Sequence, residues 1–337
     1  MGNIISFSSA KDTVIFNCGL KIPVSKIAVT IGNLSIYWYG IIITLGIVLA
    51  LVFGLKQAKK YGLDPNRMID VIIAGMFGGF LGARIYYVLF SIDEYKSFKD
   101  IINVRDGGLA IYGGILGALL FGFIFAKIRK LKFAPMLDIA GQGFLIGQAI
   151  GRWGNFFNCE AFGGNTDLPW GMTSQSIKNY ILQNMASIGN ITSTKAVHPT
   201  FLYESIWCII GFILLRTYAK HRKFDGEVFL MYAGWYGLGR FFIEGLRTDS
   251  LMLGEIRVSQ LLAGLSVAGA VIAIIMIRSH LKRSGDYVYY KDTEESKRFL
   301  DEYNRDIEKR KLKKEEKKLF KGKHVESDLN IEESDEK

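Results

Sequence analysis

Seven apolar blocks set the terms for this chain. They cover about 36–54, 70–90, 109–126, 135–151, 200–217, 227–243 and 258–277, roughly 17 to 22 residues each. A helix of that length crosses a bilayer core of roughly 30 Å. A soluble helix rarely stays apolar all round for so long. The expected fold is an all-α polytopic membrane protein: seven transmembrane helices and a small extracytoplasmic head segment over about 152–199. The length of 337 residues alone would suggest one or two soluble domains, but half the chain is hydrophobic and its mean hydropathy is +0.20.

The basic residues orient the blocks. Lys56, Lys59, Lys60 and Arg67 follow the first block, Lys127, Arg129, Lys130 and Lys132 the third, and Arg216, Lys220, Arg222 and Lys223 the fifth. The alternate loops hold fewer, and 92–106 also carries Asp93, Glu94, Asp100 and Asp106. The positive-inside rule then expects the N-terminus outside and the C-terminus in the cytoplasm. Loops and tail thus account for the net charge of +10, with a lipid bilayer as partner and no nucleic acid. Cys18, Cys159 and Cys208 are too far apart for a C-x-x-C pair or a zinc cluster. The first thirty residues lack the basic-then-apolar pattern of a cleaved signal peptide.

Residues 1–278 therefore read as the membrane domain and 279–337 as a charged cytoplasmic tail, partly helical or disordered. That tail reads as a solvated appendage, with a partner or membrane-surface role as the other reading. Glycines recur at close spacing in the second and third blocks (Gly75, Gly78, Gly79, Gly82; Gly113, Gly114, Gly117). Such residues let helices pack closely in lipid, and around Tyr112 they also leave room for a ligand.

Polar residues gather at the expected outer ends of the blocks. "GRWGNFFNCEAFGG" places Arg152, Asn155, Asn158 and Glu160 within nine residues at the end of the fourth. Burying such groups in hydrocarbon costs several kcal/mol each unless they are paired or hydrated, about 3 kcal/mol for an arginine on insertion scales. "SIYWYG" carries Tyr39 at the start of the first block, where aromatics usually anchor at the interface. "DGGLAIYGG" runs from Asp106 through Tyr112, and "HPTFLYES" holds His198, Tyr203 and Glu204. "WYGLGRFFIEGLR" spaces Tyr236, Arg240 and Glu244 four apart on one helical face, with Arg247 three residues later. Arg84 lies deep in the second block, facing either a buried acid or an anionic head group. Arg152, Arg240 and Arg247 outnumber Glu160 and Glu244, a surplus that invites an anion such as a phospholipid head group.

These blocks, in this order, resemble the bacterial phosphatidylglycerol–prolipoprotein diacylglyceryl transferase family. "GRWGNFFNCEAFG" is similar to its signature G-R-x-G-N-F-x-N-x-E-x-x-G, and the likeness covers roughly residues 20–280. The resemblance implies a seven-span bacterial cell-membrane enzyme without cofactor or metal, working near the outer leaflet. It would move the diacylglyceryl group of phosphatidylglycerol onto the lipobox cysteine of a prolipoprotein signal peptide, as the first step of lipoprotein maturation. A thioether forms and glycerol phosphate leaves.

Carried onto matching positions, the resemblance implies substrate contact at Arg152, Asn155, Glu160 and Gly163, and at Tyr39, Tyr236, Arg240, Glu244 and Arg247. Asn158, Arg84 and His198 join as substrate-binding candidates from the residue reading. Tyr112-Gly113-Gly114 departs from the His-Gly-Gly of many relatives, which takes a mandatory histidine base away. The expected catalytic set is Arg152 and Arg240 on the leaving phosphate, Glu244 holding the arginines together with the substrate-site Glu160, and Tyr112. Tyr112 has three readings: base, phosphate donor, or bystander to a thiol acidified by the positive field. The rival reading is an anion or lipid transporter or channel with arginines along its path. A metal-dependent phosphatidyltransferase would need clustered aspartates, and the outer acids are scattered.

Overall fold

The computed structural model describes residues 5–7, 12–95, 97–103, 107–184, 191–247, 252–253, 256–285 and 287–335. Five short strands come first: β1 (Ile5–Phe7), β2 (Asp12–Phe16), β3 (Lys21–Val24), β4 (Ile27–Ile31) and β5 (Leu34–Tyr37). The helices α1 (Trp38–Ala58), α2 (Pro65–Phe90), α3 (Phe98–Ile102), α4 (Ile111–Ile128) and α5 (Phe133–Asn158) follow. Next come β6 (Met172–Thr173), α6 (Gln175–Gln183), α7 (Thr200–Tyr218) and α8 (Glu227–Leu246). The chain ends with β7 (Met252–Leu253), β8 (Ile256–Arg257), α9 (Val258–Ser284) and α10 (Glu294–Asp335).

The chain is mostly helical, and every apolar block falls on a helix. Among the described residues, five helical segments combine membrane-crossing length with mean hydropathy of 1.4 to 2.3; they correspond to α1, α2, α4, α7 and α9. Helices α5 and α8 are 26 and 20 residues long but fall outside that group. They carry Gln142, Gln148, Arg152 and Asn155, and Glu227, Arg240 and Glu244, which dilute their apolar character. The all-α expectation needs correcting at the N-terminus, where β1, β4 and β5 form one antiparallel sheet and β2 pairs with β3 and β6 in another. Alternation over so few residues is easily overlooked beside long apolar helices.

Two compact units divide the chain: residues 1–57 with 134–287, and 58–133 with 288–337. In the second unit, α2 starts at Asp64, whose carboxylate accepts the Asn66 N–H at 2.8 Å, with Pro65 at the first helical position. Helices α2 and α4 meet backbone to backbone. A Cβ built on Gly82 would lie 2.4 Å from the Gly113 carbonyl oxygen, and one on Gly117 2.2 Å from that of Gly78. Only glycine permits this approach, which is how small residues pair helices in lipid.

In the first unit, α7 and α8 are locked by two tryptophans. Trp207 and Trp235 stack at 4.3 Å, and each indole N–H donates to the other's backbone carbonyl, at 2.9 and 3.0 Å. Each ring also sits over a glycine of the opposite helix, Trp207 over Gly239 and Trp235 over Gly211. Asp138 of α5 caps α8 by accepting the N–H groups of Gly226 and Phe229, both at 2.9 Å. These contacts fix the registers of α5, α7 and α8 from below the polar cluster. A small cap closes the other end. Its core joins Val14 and Val24 of the N-terminal strands to Met172, Ile177, Ile181 and Val197, and to Phe156 of α5 and Phe201 of α7. Residues from 12–24 thus pack with the 152–199 segment.

Candidate active site

The signature spans the end of α5. Cys159 adopts a left-handed backbone (φ +53°), so the helix ends there. Its N–H donates to the Phe156 carbonyl at 3.0 Å, and the Glu160 N–H reaches back to that of Asn155 at 3.1 Å. This pair of bonds is a Schellman closure, normally built on glycine. It turns Glu160 toward the helix, where its carboxylate accepts the Asn155 and Asn158 side-chain amides at 2.9 and 3.2 Å. Cys159 is buried in the cap core, and burial pushes its thiol pKa up. The Tyr39 ring packs on Gly154, where a Cβ would come within 2.7 Å of it.

One turn inside α5, Arg152 joins a cluster of charges drawn from three helices. Glu204 of α7 is its hub and is 3% exposed. Arg152 Nη2 lies 2.5 Å from one Glu204 oxygen, and Arg240 and Arg247 lie 3.0 and 3.7 Å from the other. Arg240 also meets Glu244 at 2.7 Å across one helical turn, and Arg247 meets Glu244 at 4.0 Å. Arg257 of β8 donates to the Glu244 carbonyl. Arg152 further donates to the Tyr236 hydroxyl, and at 3.5 Å to the Asn155 side-chain oxygen. A continuous chain of polar contacts thus runs from Glu160 to Glu244. The carboxylates lie behind the Arg152 and Arg240 side chains, which are both 21% exposed. The arginines are thus held by carboxylates more deeply buried than themselves.

Gly163 and His198 stitch the cap to this cluster. The Gly163 N–H donates to the His198 carbonyl and that of Gly164 to the Leu246 carbonyl, both at 2.9 Å, and Gly163 bridges Arg247. A Cβ on Gly163 would lie 2.8 Å from the Leu246 oxygen, so this glycine sets how closely the signature loop approaches the end of α8. The His198 ring belongs to a neighbouring group. Trp170 Nε1 donates to the Tyr203 hydroxyl at 2.8 Å, and His198 Nδ1 lies 3.0 Å from the same oxygen. The Tyr203 hydroxyl therefore joins the indole and the imidazole in one polar group. Burial lowers the His198 pKa.

Arg84 and Tyr112 belong to the second unit. Arg84 was expected against a buried acid or a head group, and its five N–H donors go elsewhere. Nε donates to Ile101, Nη1 to Gly107 and Gly108, and Nη2 to Asp100 and Asn103, all backbone carbonyls at 2.7 to 3.0 Å. A guanidinium has no further donor to give. Arg84 therefore holds the loop that leads into α4, where Tyr112 is the second residue and is exposed. Asp106 lies outside the described residues.

Two features escaped the sequence reading. Glu204, rather than Glu160, is the arginines' shared partner with Glu244, and Arg257 joins from β8. A glutamate one position from an aromatic in "FLYES" carries little signal alone, although its place at the start of an apolar block marks it as costly to bury. Among the described residues, no group of three His, Cys, Asp or Glu side chains is arranged to hold a metal ion.

The family model described as prolipoprotein diacylglyceryl transferase matches residues 26–277. A phosphatidylglycerol–prolipoprotein diacylglyceryl transferase of Clostridioides difficile is 41% identical over 260 residues, 77% of this chain and 98% of the relative. Similarly named proteins of Finegoldia magna and Clostridium perfringens are each 44% identical, over 74% and 78% of this chain and 94% and 99% of their own lengths.

Proposed function

Because the chain belongs to the prolipoprotein diacylglyceryl transferase family, we propose that its arginine cluster receives the phosphate of a phospholipid donor. The enzyme is a membrane transferase that moves the diacylglyceryl group of phosphatidylglycerol onto a prolipoprotein. The acceptor is the lipobox cysteine of the signal peptide. All seven long apolar helices cross the bilayer, with the N-terminus outside, the C-terminus in the cytoplasm and the cap beside the outer leaflet. The charge distribution of the loops supports that orientation.

The observation that carries the reading is the fan of Arg152, Arg240 and Arg247 on the buried Glu204, the arginine side chains being partly exposed. The thiolate sulfur attacks the glycerol carbon that bears the phosphate ester. A C–S bond forms, the C–O bond breaks, and its electron pair leaves with glycerol phosphate. Arg152 and Arg240, held by Glu204, would stabilise the charge that grows on that phosphate, and a preorganised donor of this kind contributes about 3 kcal/mol. Asn155 and Asn158, fixed by Glu160, orient the glycerol backbone. Tyr39 and Tyr236 line the path, and Gly163 and His198 shape the loop above it.

A free thiol has a pKa near 8.5, so only a few per cent is ionised at pH 7. The positive field of the arginines raises that fraction, and the proton passes to water. Tyr112→Phe should then retain most turnover; a loss of a hundredfold or more would make Tyr112 the base. The overall test is purified protein with phosphatidylglycerol and a lipobox peptide, read as a diacylglyceryl mass gain on cysteine. Arg152→Ala, folded by its melting profile, should abolish the gain, and full activity in that variant would refute the phosphate clamp.

A further inference from the structure

The family match stops at residue 277, yet the chain continues into a 42-residue helix, α10. We propose that α10 is an electrostatic arm, latched at its root and binding the anionic lipid surface through its basic stretch.

The root is a built joint within the second unit. Tyr290, Ser296 and Phe299 are buried. The Ser296 hydroxyl donates to the Gly62 carbonyl at 2.7 Å. Gly62 has φ +76°, and a Cβ there would lie 2.3 Å from Ser296 Oγ and 2.4 Å from Lys291 Cα. The Arg67 guanidinium lies 3.7 Å over the Phe299 ring and 3.2 Å from Glu302, while Lys59 reaches Asn304 at 2.9 Å. Gly62 lies in the short connection between α1 and α2 and Arg67 in the first turn of α2; both helices are of membrane-crossing length. Any segment fastened to that connection starts at the level of the membrane surface. The chain path agrees, since only nine residues separate the end of α9 from the start of α10.

Charge supplies the partner. From Arg305 to Lys323 the sequence holds ten Lys or Arg against Asp306, Glu308, Glu315 and Glu316. Six acids and a single lysine follow from Glu326 onward. The basic residues therefore lie ahead of an acidic end. Arg305, Lys309, Arg310, Lys311 and Lys313 are exposed. A cluster of four to eight such residues beside a membrane helix is the recognised form of binding to anionic lipid head groups.

The test uses the full chain in lipid nanodiscs, read by amide hydrogen exchange over 305–323. Discs of phosphatidylcholine alone are compared with discs containing 30% phosphatidylserine, an anionic lipid that is not the donor. We expect exchange at least fivefold slower in the anionic discs at low salt, with the difference lost in 0.5 M salt. The exposed-site variant K309Q/R310Q/K311Q/K313Q should lose the difference while protection over 290–304 persists. Equal exchange in both discs, slowing that salt does not reverse, or slowing seen only on adding RNA would overturn the proposal.

Discussion

Replacing Glu204 with glutamine tests the site most directly. The substitution keeps the side chain's size and removes one negative charge from a position 2.5, 3.0 and 3.7 Å from three arginines. In its place comes an amide whose N–H groups face other donors. Removing one partner of a buried ion pair costs about 3–5 kcal/mol. The arginine side chains keep 12 to 21% of their exposure, and Glu244 still holds Arg240, so the lower end of about 3 kcal/mol applies here. Losing the orientation of Arg152 should also remove transition-state stabilisation worth about 10²–10³ in rate.

The assay pairs thermal unfolding in detergent with the rate of diacylglyceryl mass gain on a lipobox peptide. Glu204→Gln should unfold earlier and turn over at least a hundredfold more slowly. A double-mutant cycle with Arg152→Lys should give a coupling of about 1 kcal/mol or more, because the two side chains touch. If Glu204→Gln melted like the parent and retained turnover within threefold, the hub would be ornamental and the reasoning from its geometry would fail.

Arg84→Lys offers three donors where the loop over 100–108 uses five, so we expect about 2 kcal/mol of destabilisation and faster amide exchange at residues 107–110. Gly113→Val drives a side chain into the Gly82 carbonyl at 2.3 Å and should cost about 3 kcal/mol by thermal unfolding. Gly269→Ala, with nothing within 4 Å of the new Cβ, should be neutral or stabilising by up to about 1 kcal/mol. Asp12 ties the N-terminal strands to the start of α6. Burial alone would raise its pKa, but hydrogen bonds from the Ser176 side chain and N–H, the Thr13 N–H and Ser174 outweigh that and lower it. A carboxylate with a depressed folded pKa adds stability above its ordinary pKa near 3.9 and loses it as pH falls through the folded value. The stability gap between the parent and Asp12→Asn should therefore shrink between pH 6 and pH 3, and a gap that widens on acidification would contradict the bonding pattern.

Much of the framework was legible before any coordinates. The positions of α1, α2, α4, α5, α7, α8 and α9 follow from blocks of apolar residues, because hydrocarbon admits few alternatives to a helix of about twenty residues. That the glycines of α2 and α4 serve close helix packing was visible in the spacing; that the two helices pack on each other was not. The shared face of Tyr236, Arg240 and Glu244 was visible too, since four residues make nearly one helical turn. The N-terminal strands were missed, being short and joined to β6 from more than 150 residues away.

By itself, then, the sequence determined what is local. It decided which segments are helical, where the polar residues interrupt them, and that a long signature motif ends one helix. Only the tertiary structure decided which charges meet. Arg152, Glu204 and Arg240 come from three helices, and no spacing along the chain encodes their common point. Arg84 makes the same case from the other side: an arginine in a membrane helix invites an anionic partner, yet its donors are consumed by a folded-back loop. A side chain's partner is set by the elements that pack around it, and that packing rests on contacts such as the Trp207–Trp235 stack and the Gly82–Gly113 approach, which form only when distant segments come together.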